Sequence, residues 1–468
     1  MEKSSQLIAG AAEIDISPPI NTQVAGDVGR RRPARVVLDP LYAKALILES
    51  NGASACIISM DLTVVAQSQS DIIRERIESK YGIPRENVVV HATQTHSAPS
   101  LGHFLVTPTN SLLPKGGEWA FLAGGDDRYT EICIERLLLA VDKAATQRQP
   151  VHAGASRAID GRFAHNRRAV MRDGRRVAEV RPCDPDILYI EGPADPEVGV
   201  LLLVNDALEN IAVLLHHTAH PTSGWPYNYV SSDWPGAWCD KMRGMLGRQC
   251  VPMVINGCCG NIGIINRLEP ERRFDYKEMG EGLAASTARA LKKLSYIDAF
   301  PLLMKSRLLK IPMRHFTDEH LDKARKIYDA HPMPKWIDAA DCVGEWWNAD
   351  CVDAEWWAAA SALDVYNHYG NGSLIDYEIQ ALRLGSFGMV ALGGEPYVEG
   401  QLEIKLRAQP DYVFVAHLCN SYPGYIPTAE AVESPGSWET NPSLTSHLCS
   451  GALKMVADGS VELLNSLY

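Results

Sequence analysis

Four polar clusters in this chain each follow an apolar run, and each carries side chains able to hold a metal ion or move a proton. The first is VVVHATQTHSAPS, residues 88–100. In an extended segment alternate side chains share a face, so Gln94 and His96 point one way while Thr93 and Thr95 point the other. Two such groups at a strand end can address one metal ion or one substrate atom, although a lone strand-end histidine is more often a hydrogen-bonded structural residue. The second cluster, LLHHTAHPTSGWPYN, holds His216, His217 and His220 and runs on into VSSDWPGAW with Asp233. The preceding IAVLL is strand-like, which sets His216 and His220 on one face. Pro221 then turns the chain, leaving His220 at the tip with a neutral nitrogen to offer. His216 and His217 also read as buried, satisfied histidines.

The third cluster, ALGGEPYVEG, puts Glu395 on a sharp turn that two glycines make possible. The fourth, CNSYPGYIPT, brings Tyr422 and Tyr425 to another strand end, where tyrosine is most often a packing residue. Two histidines, a glutamate and a tyrosine make a reasonable zinc set. Zinc favours nitrogen and oxygen ligands, and a catalytic site leaves one position for water.

Strands must deliver these clusters, and helices must cover the strands. Apolar runs end in polar residues within 55–61, 87–96, 211–223, 251–261, 389–399 and 412–425. Runs of that length suit strands buried on both faces. Helical patterns occupy 71–81, 127–147 and 277–294. The alternation predicts an α/β fold, with mixed β-sheet flanked by helices. Ligands in such folds bind beyond the carboxyl ends of strands. Because the polar residues concerned run from Asp61 to Tyr425, one catalytic domain over 1–468 is expected rather than several. Residues 317–369 differ, being helical in composition with Trp346-Trp347 and Trp356-Trp357 set about three helical turns apart. They read as an insertion that fills a helical subdomain or an oligomer contact, or as a lid whose indoles cover the substrate.

A net charge of −12 argues against wrapping a nucleic acid, which requires clustered cations. The short runs Arg30-Arg31-Arg32 and Arg175-Arg176 read as solvated faces. No apolar run approaches the roughly 18 residues of a membrane span. The N-terminus has acids where a signal peptide would be neutral. The expectation is a cytoplasmic protein without membrane insertion, a small-molecule substrate as partner, and room for a homo-oligomer. The eleven cysteines are scattered, with only Cys258 and Cys259 close together, and read as reduced thiols in a core.

Taken in order, AAEIDISPP, SMDLTVV, HATQTHSAP, HNRRAV, DPEVGVLLL, HTAHPTSG, SSDWPG, NGCCGN, GGEPYVE and NSYPGYIPT resemble the neutral/alkaline ceramidase family, specifically its N-terminal catalytic domain. The resemblance implies zinc held by the first histidine of a Thr-His-Thr-His motif, a histidine before a turn, a Gly-Glu-Pro glutamate and a tyrosine of a Tyr-x-x-Tyr turn. The last three fall on His220, Glu395 and Tyr425, whereas the first falls on Gln94. His96 matches the histidine that transfers protons beside the metal. Arg167 resembles an arginine that stabilises oxyanion charge. The family's Gly-Asp-Val-Ser-Pro-Asn segment is here Gly260-Asn261-Ile262-Gly263, and a tyrosine lining the ceramidase site is here Trp438. Asn261, Asp233 and Trp438 are therefore expected on the substrate side. The family's C-terminal immunoglobulin-like domain is not expected here, since the last motif lies within about forty residues of Tyr468.

These residues imply a metal-dependent hydrolase cleaving an amide or related bond in a small soluble substrate, with Gln94 or His96 completing the ligand set. Glutamine weakens the expectation of zinc, because an amide oxygen suits harder ions. The alternative is a lyase or isomerase on a polar or carbohydrate substrate, its metal altered or lost, with His96, Tyr425 and Glu395 as acid/base groups. A non-catalytic binding protein on the same scaffold is the third possibility.

Overall fold

In the computed structural model residues 6–107, 112–114, 116–178, 180–297, 301–337, 350–434 and 436–468 are described. The first half contains β1 (Leu7–Asp15), β2 (Tyr42–Ser50), β3 (Ala53–Met60), α1 (Gln67–Tyr81), β4 (Val88–Ala92) and α2 (Asp127–Thr146). It continues through β5 (Gln149–Ile159), β6 (Glu197–Asn205), β7 (Asn210–His217), α3 (Asp233–Leu246), β8 (Val251–Asn256) and α4 (Tyr276–Leu291). These strands and the short Ser295–Tyr296 form a nine-stranded mixed sheet, ordered β8-β7-β6-β5-β1-β2-β3-β4. The second half comprises β9 (Leu302–Pro312), α5 (Asp318–Ala330), α6 (Ala354–Tyr369), β10 (Leu374–Leu384), β11 (Phe387–Leu392), α7 (Val398–Arg407), β12 (Tyr412–Ala416) and α8 (Ala452–Asn465). Its strands form a four-stranded sheet ordered β9-β10-β11-β12.

Period-two alternation explains how the layers stack. In β2 to β4, Ala45, Ile47, Ile58 and Val90 pack with Ile73 of α1 and Leu137 of α2. The alternate residues Leu46, Leu48, Ile57 and Val89 pack with Leu382, Met389 and Phe414 of the smaller sheet. At the other end of the large sheet, Val200, Val213 and Val254 lie under Trp234 and Trp238 of α3 and Leu283 of α4. Residues of α5, α6 and α8 close the outer face of the smaller sheet. The order is helix, sheet, sheet, helix, so strands are buried on both faces and read as continuous apolar runs. Local signals agree with the helix starts: Asp126 caps α2, and Asp275 with Glu278 forms a capping box on α4.

In the segment read as a helical insertion or a lid, Trp356 and Trp357 are buried among helical residues. Trp346 and Trp347 lie outside the described residues. Among the described residues no helix is long and apolar enough to cross a membrane. The described cysteines form no disulfide, and most are buried.

A buried ion pair ties α7 to the large sheet. Lys405 Nζ lies 2.7 Å from Asp195 Oδ2 and 2.9 Å from Glu197 Oε1. Burial would raise the Asp195 pKa, but the Lys405 ammonium and nearby hydrogen bonds outweigh it and hold the carboxyl at about 2. Lys405→Met is therefore expected to cost about 2 kcal/mol at pH 7, below a fully buried pair because the lysine keeps some exposure. A depressed pKa contributes stability above the unfolded value of about 3.9 and loses it as pH falls through the folded value. The wild type thus weakens between about 3.9 and 2, while the variant, its carboxyl now raised by burial, gains as that group protonates. Urea midpoints across this range should show the gap narrowing with acid.

Candidate active site

Parallel strand pairs end together, whereas antiparallel hairpins return, so the carboxyl ends of parallel pairs are natural places to assemble a site. Here β3/β4 and β7/β8 are parallel pairs in the large sheet, and β11/β12 is one in the smaller sheet. The four polar clusters follow β4, β7, β11 and β12.

β4 stops at Ala92, because the next two N–H groups turn to the carbonyls of Met60 and Leu62. Gln94 then adopts a φ of 72°. The strand alternation expected to align Gln94 with His96 therefore does not extend to them, and the turn positions them instead. Strand alternation likewise does not link His216 to His220, since β7 ends at His217. His216 Nε2 sits against the backbone of Val415, and His217 against Glu197 O. Glu395 and Tyr425 face each other in a short parallel ladder, Glu395–Pro396 against Tyr425–Ile426. Gly394 has a φ of 66°, and a Cβ there would lie 2.4 Å from Gly424 O, so the turn requires glycine.

Glu395 is buried among neutral donors. Its Oε1 accepts from Tyr422 Oη at 2.8 Å and its Oε2 from Gln94 Nε2 at 2.6 Å, while the Tyr425 hydroxyl also donates to it. Burial still raises its pKa to about 7, against these bonds and Arg167. The Gln94 amide is oriented from behind, where Cys259 Sγ donates to its Oε1 at 3.0 Å. His220 Nδ1 donates to Cys259 O at 2.7 Å, which leaves Nε2 as the lone-pair nitrogen. That atom is buried, has no hydrogen-bond partner and lies 3.5 Å from Glu395 Oε2. Burial, then Arg167 and His96, holds the His220 pKa well below its ordinary value, so the ring is neutral.

His96 meets His220 edge-on with ring centres 5.1 Å apart. Burial lowers its pKa to about 4 although Asp27 opposes the shift, so this imidazole too is neutral and able to accept a proton. Gly26 makes room for it: its φ is 96°, and a Cβ would lie 2.7 Å from His96 Cγ. Gly26→Ala is expected to cost about 1–2 kcal/mol through the left-handed backbone. Displacing the ring by an ångström should also lower kcat about a hundredfold. Thermal melts and steady-state rates on one preparation separate the two effects.

Arg167 reaches the site from the other side. Its guanidinium donates to Gly260 O at 2.8 Å, pairs with Glu439 Oε1 at 2.5 Å and stacks 5.6 Å from the Trp438 ring centre. Trp438 is 41% exposed, and its N–H donates to the Tyr425 hydroxyl. The other two residues expected on the substrate side are buried in structural hydrogen bonds. Asn261 accepts from Val398 N and donates to Glu399. Asp233 accepts from Ser223 N and Trp234 N, with burial raising its pKa to about 6. Asp61 binds buried Lys44 and lies outside the cluster.

Sequence reasoning missed three groups. Glu439 sits within the quoted GSWET, but only the fold shows that it is fully buried and bridges Arg167 to Arg168. Cys259 is the buried core thiol expected, but its bond to Gln94 has no signal in the sequence. Asp27 had no spacing signal at all. The arginine triplet beside it was misread as a solvated face: Arg32 is fully buried, donating to Ala25 O, Asp27, His96 O and Tyr227 O. Arg30 is buried too, and Arg31 alone is exposed. The local reason is the neighbouring carboxylate and carbonyls, which a charge count along the chain does not register.

Among the described residues no three or more histidine, cysteine, aspartate or glutamate side chains cluster as a metal centre. Here one histidine and one carboxylate are joined by phenols and an amide instead. The layers and the buried polar site at strand ends define a mixed α/β protein of ceramidase-like architecture. The fold is that of neutral ceramidase: the chain aligns over 99% of its length with 74% of neutral ceramidase from Pseudomonas aeruginosa, at a TM-score of 0.71 and 16% identity. A ceramidase complexed with C2 aligns at a TM-score of 0.70 and 15% identity, over 99% of this chain and 75% of that one. No protein-family model matches the chain.

Proposed function

We propose that this chain is a metal-dependent hydrolase that cleaves an amide or related bond in a small soluble substrate. The observation that carries the reading is His220 Nε2, a buried lone-pair nitrogen without a partner, 3.5 Å from the Glu395 carboxylate. Two ligands of one tetrahedral zinc, each at roughly 2.0–2.1 Å, stand about that far apart, so this pair fits the ion. Tyr425, hydrogen-bonded to Glu395, supplies a third oxygen. Gln94 presents its N–H to Glu395, which makes it a support for the carboxylate in this arrangement rather than a ligand. A bound zinc would polarise the substrate carbonyl and acidify water. The neutral His96 imidazole accepts the proton released in the attack and returns it to the leaving group. Arg167, fixed by Gly260 and Glu439, places positive charge where the oxyanion develops. The exposed face of Trp438 flanks the substrate.

One observation favours a second reading, a metal-free lyase or isomerase on a polar or carbohydrate substrate. Glu395 Oε2 already accepts the Gln94 amide at 2.6 Å, and a carboxyl titrating near 7 serves as acid or base. Elemental analysis of purified protein, run beside an amidase assay, decides between them. About one zinc per chain with amide turnover supports the hydrolase. Metal-free protein that turns over a sugar overturns it.

A further inference from the structure

We propose that Arg30, beside Trp225, forms an anion-binding subsite at the edge of the candidate active site, so that the substrate carries a carboxylate away from the bond that is cleaved. The inference deepens the hydrolase reading and rests on it for the word substrate, but the subsite itself stands on separate observations. The Arg30 side chain is 9% exposed, with Nε 3.7 Å from Asp27 Oδ2. That nitrogen is buried without a hydrogen-bond partner, and the side chain makes no hydrogen bond to any described residue. Buried guanidinium groups ordinarily use their five donors. Arg32, two positions on, donates through both terminal nitrogens to three carbonyls and Asp27, with its Nε alone unpartnered.

Packing over an indole accounts for part of Arg30's position, since its guanidinium lies 5.8 Å from the Trp225 ring centre. It leaves Nε without an acceptor. Trp225 is itself 40% exposed and donates its N–H to Asp27 Oδ1 at 2.5 Å. The location is fixed at both ends. Asp27 follows Gly26, which abuts His96, and Trp225 stands five residues after His220.

Local charge points the same way. Asp27 serves both Arg30 and Arg32, and on the opposite flank Glu439 and Glu191 serve Arg167, Arg168 and Arg176. The Asp27 side of the His96–His220 pair therefore sets two guanidinium groups against one carboxylate, within a protein of net charge −12. Such a local charge balance attracts anions against the field of the whole molecule. The planar fork of arginine suits a carboxylate held by two hydrogen bonds.

Calorimetric titration with linear dicarboxylates of three to six carbons, each matched to its neutral diamide, tests the subsite without catalysis. The best dicarboxylate should bind at least about tenfold more tightly than its diamide. Arg30→Gln should erase that preference, Arg30→Lys should keep part of it, and Glu395→Gln, which disables the proposed chemistry, should leave it in place. A parallel assay compares glutaryl and pentanoyl anilides on one preparation, so any unfolded fraction cancels from the ratio of their kcat/KM values. Dicarboxylate preference with neither anilide cleaved supports the subsite while counting against the hydrolase. An undiminished preference in Arg30→Gln, or no dicarboxylate preference in the wild type, overturns the proposal.

Discussion

His220→Ala is expected to remove bound metal and amide turnover together, taking zinc from about one per chain to background and kcat/KM down by about a thousandfold or more. The size follows from how the residue is held. Its Nδ1 is committed to Cys259 O, so the ring presents Nε2 in one orientation, toward Glu395. The His96 ring does not supply that nitrogen, because it lies edge-on with ring centres 5.1 Å away and bonds to Gly26. Elemental analysis and rate measurement on the same sample check both parts. Metal retained at full stoichiometry in the variant would exclude His220 as a ligand. Loss of turnover without any metal in the wild type would move His220 into the acid/base reading.

Glu439→Gln should be the most destabilising single change at the site, at about 3–5 kcal/mol. Glu439 is fully buried, and its carboxylate receives Arg167 at 2.5 Å, Arg168 at 3.1 Å and the Tyr397 hydroxyl at 2.5 Å. An amide of the same shape has no charge, and it turns an N–H toward one of the two guanidinium groups. Arg168 keeps Glu191 at 2.7 Å as a second partner. Arg167 keeps Gly260 O but loses its ion-pair partner at Glu439. Urea unfolding should show the lost stability. Rates measured on the remaining folded fraction should fall as well, through misplacement of Arg167. A variant with wild-type stability would show that the two arginines are neutralised elsewhere.

The strands and helices were legible because their signals are local. The runs ending at Asp61, His96 and Tyr425 and the helices near 71–81 and 127–147 all lie close to the observed elements. His220 and Glu395 were legible because a proline or glycine turn follows or precedes them at a strand end. What failed depends on contacts between distant segments. Period-two alternation places Gln94 and His96 together, yet the strand ends at Ala92 and Gln94 itself turns left-handed. Three adjacent arginines looked like a solvated face until Asp27 and the carbonyls of Ala25, His96 and Tyr227 surrounded one of them. Glu439 shows the limit best, since no spacing rule connects it to an arginine pair about 270 residues earlier.

The division of the strands between two stacked sheets has a consequence for how the protein loses function. Gln94, His96 and His220 arrive from the large sheet, whereas Glu395, Tyr422 and Tyr425 arrive from the small one. The site is a seam, and neither sheet holds a working half alone. Its register depends on the apolar layer between the sheets, where Phe414 stacks on His216 and meets Phe387 edge-on. Sliding one sheet against the other by a fraction of a side chain would part the imidazole from the carboxylate while leaving every strand intact. Activity is therefore a gauge of sheet docking, and it would fade under mild denaturant before secondary structure does.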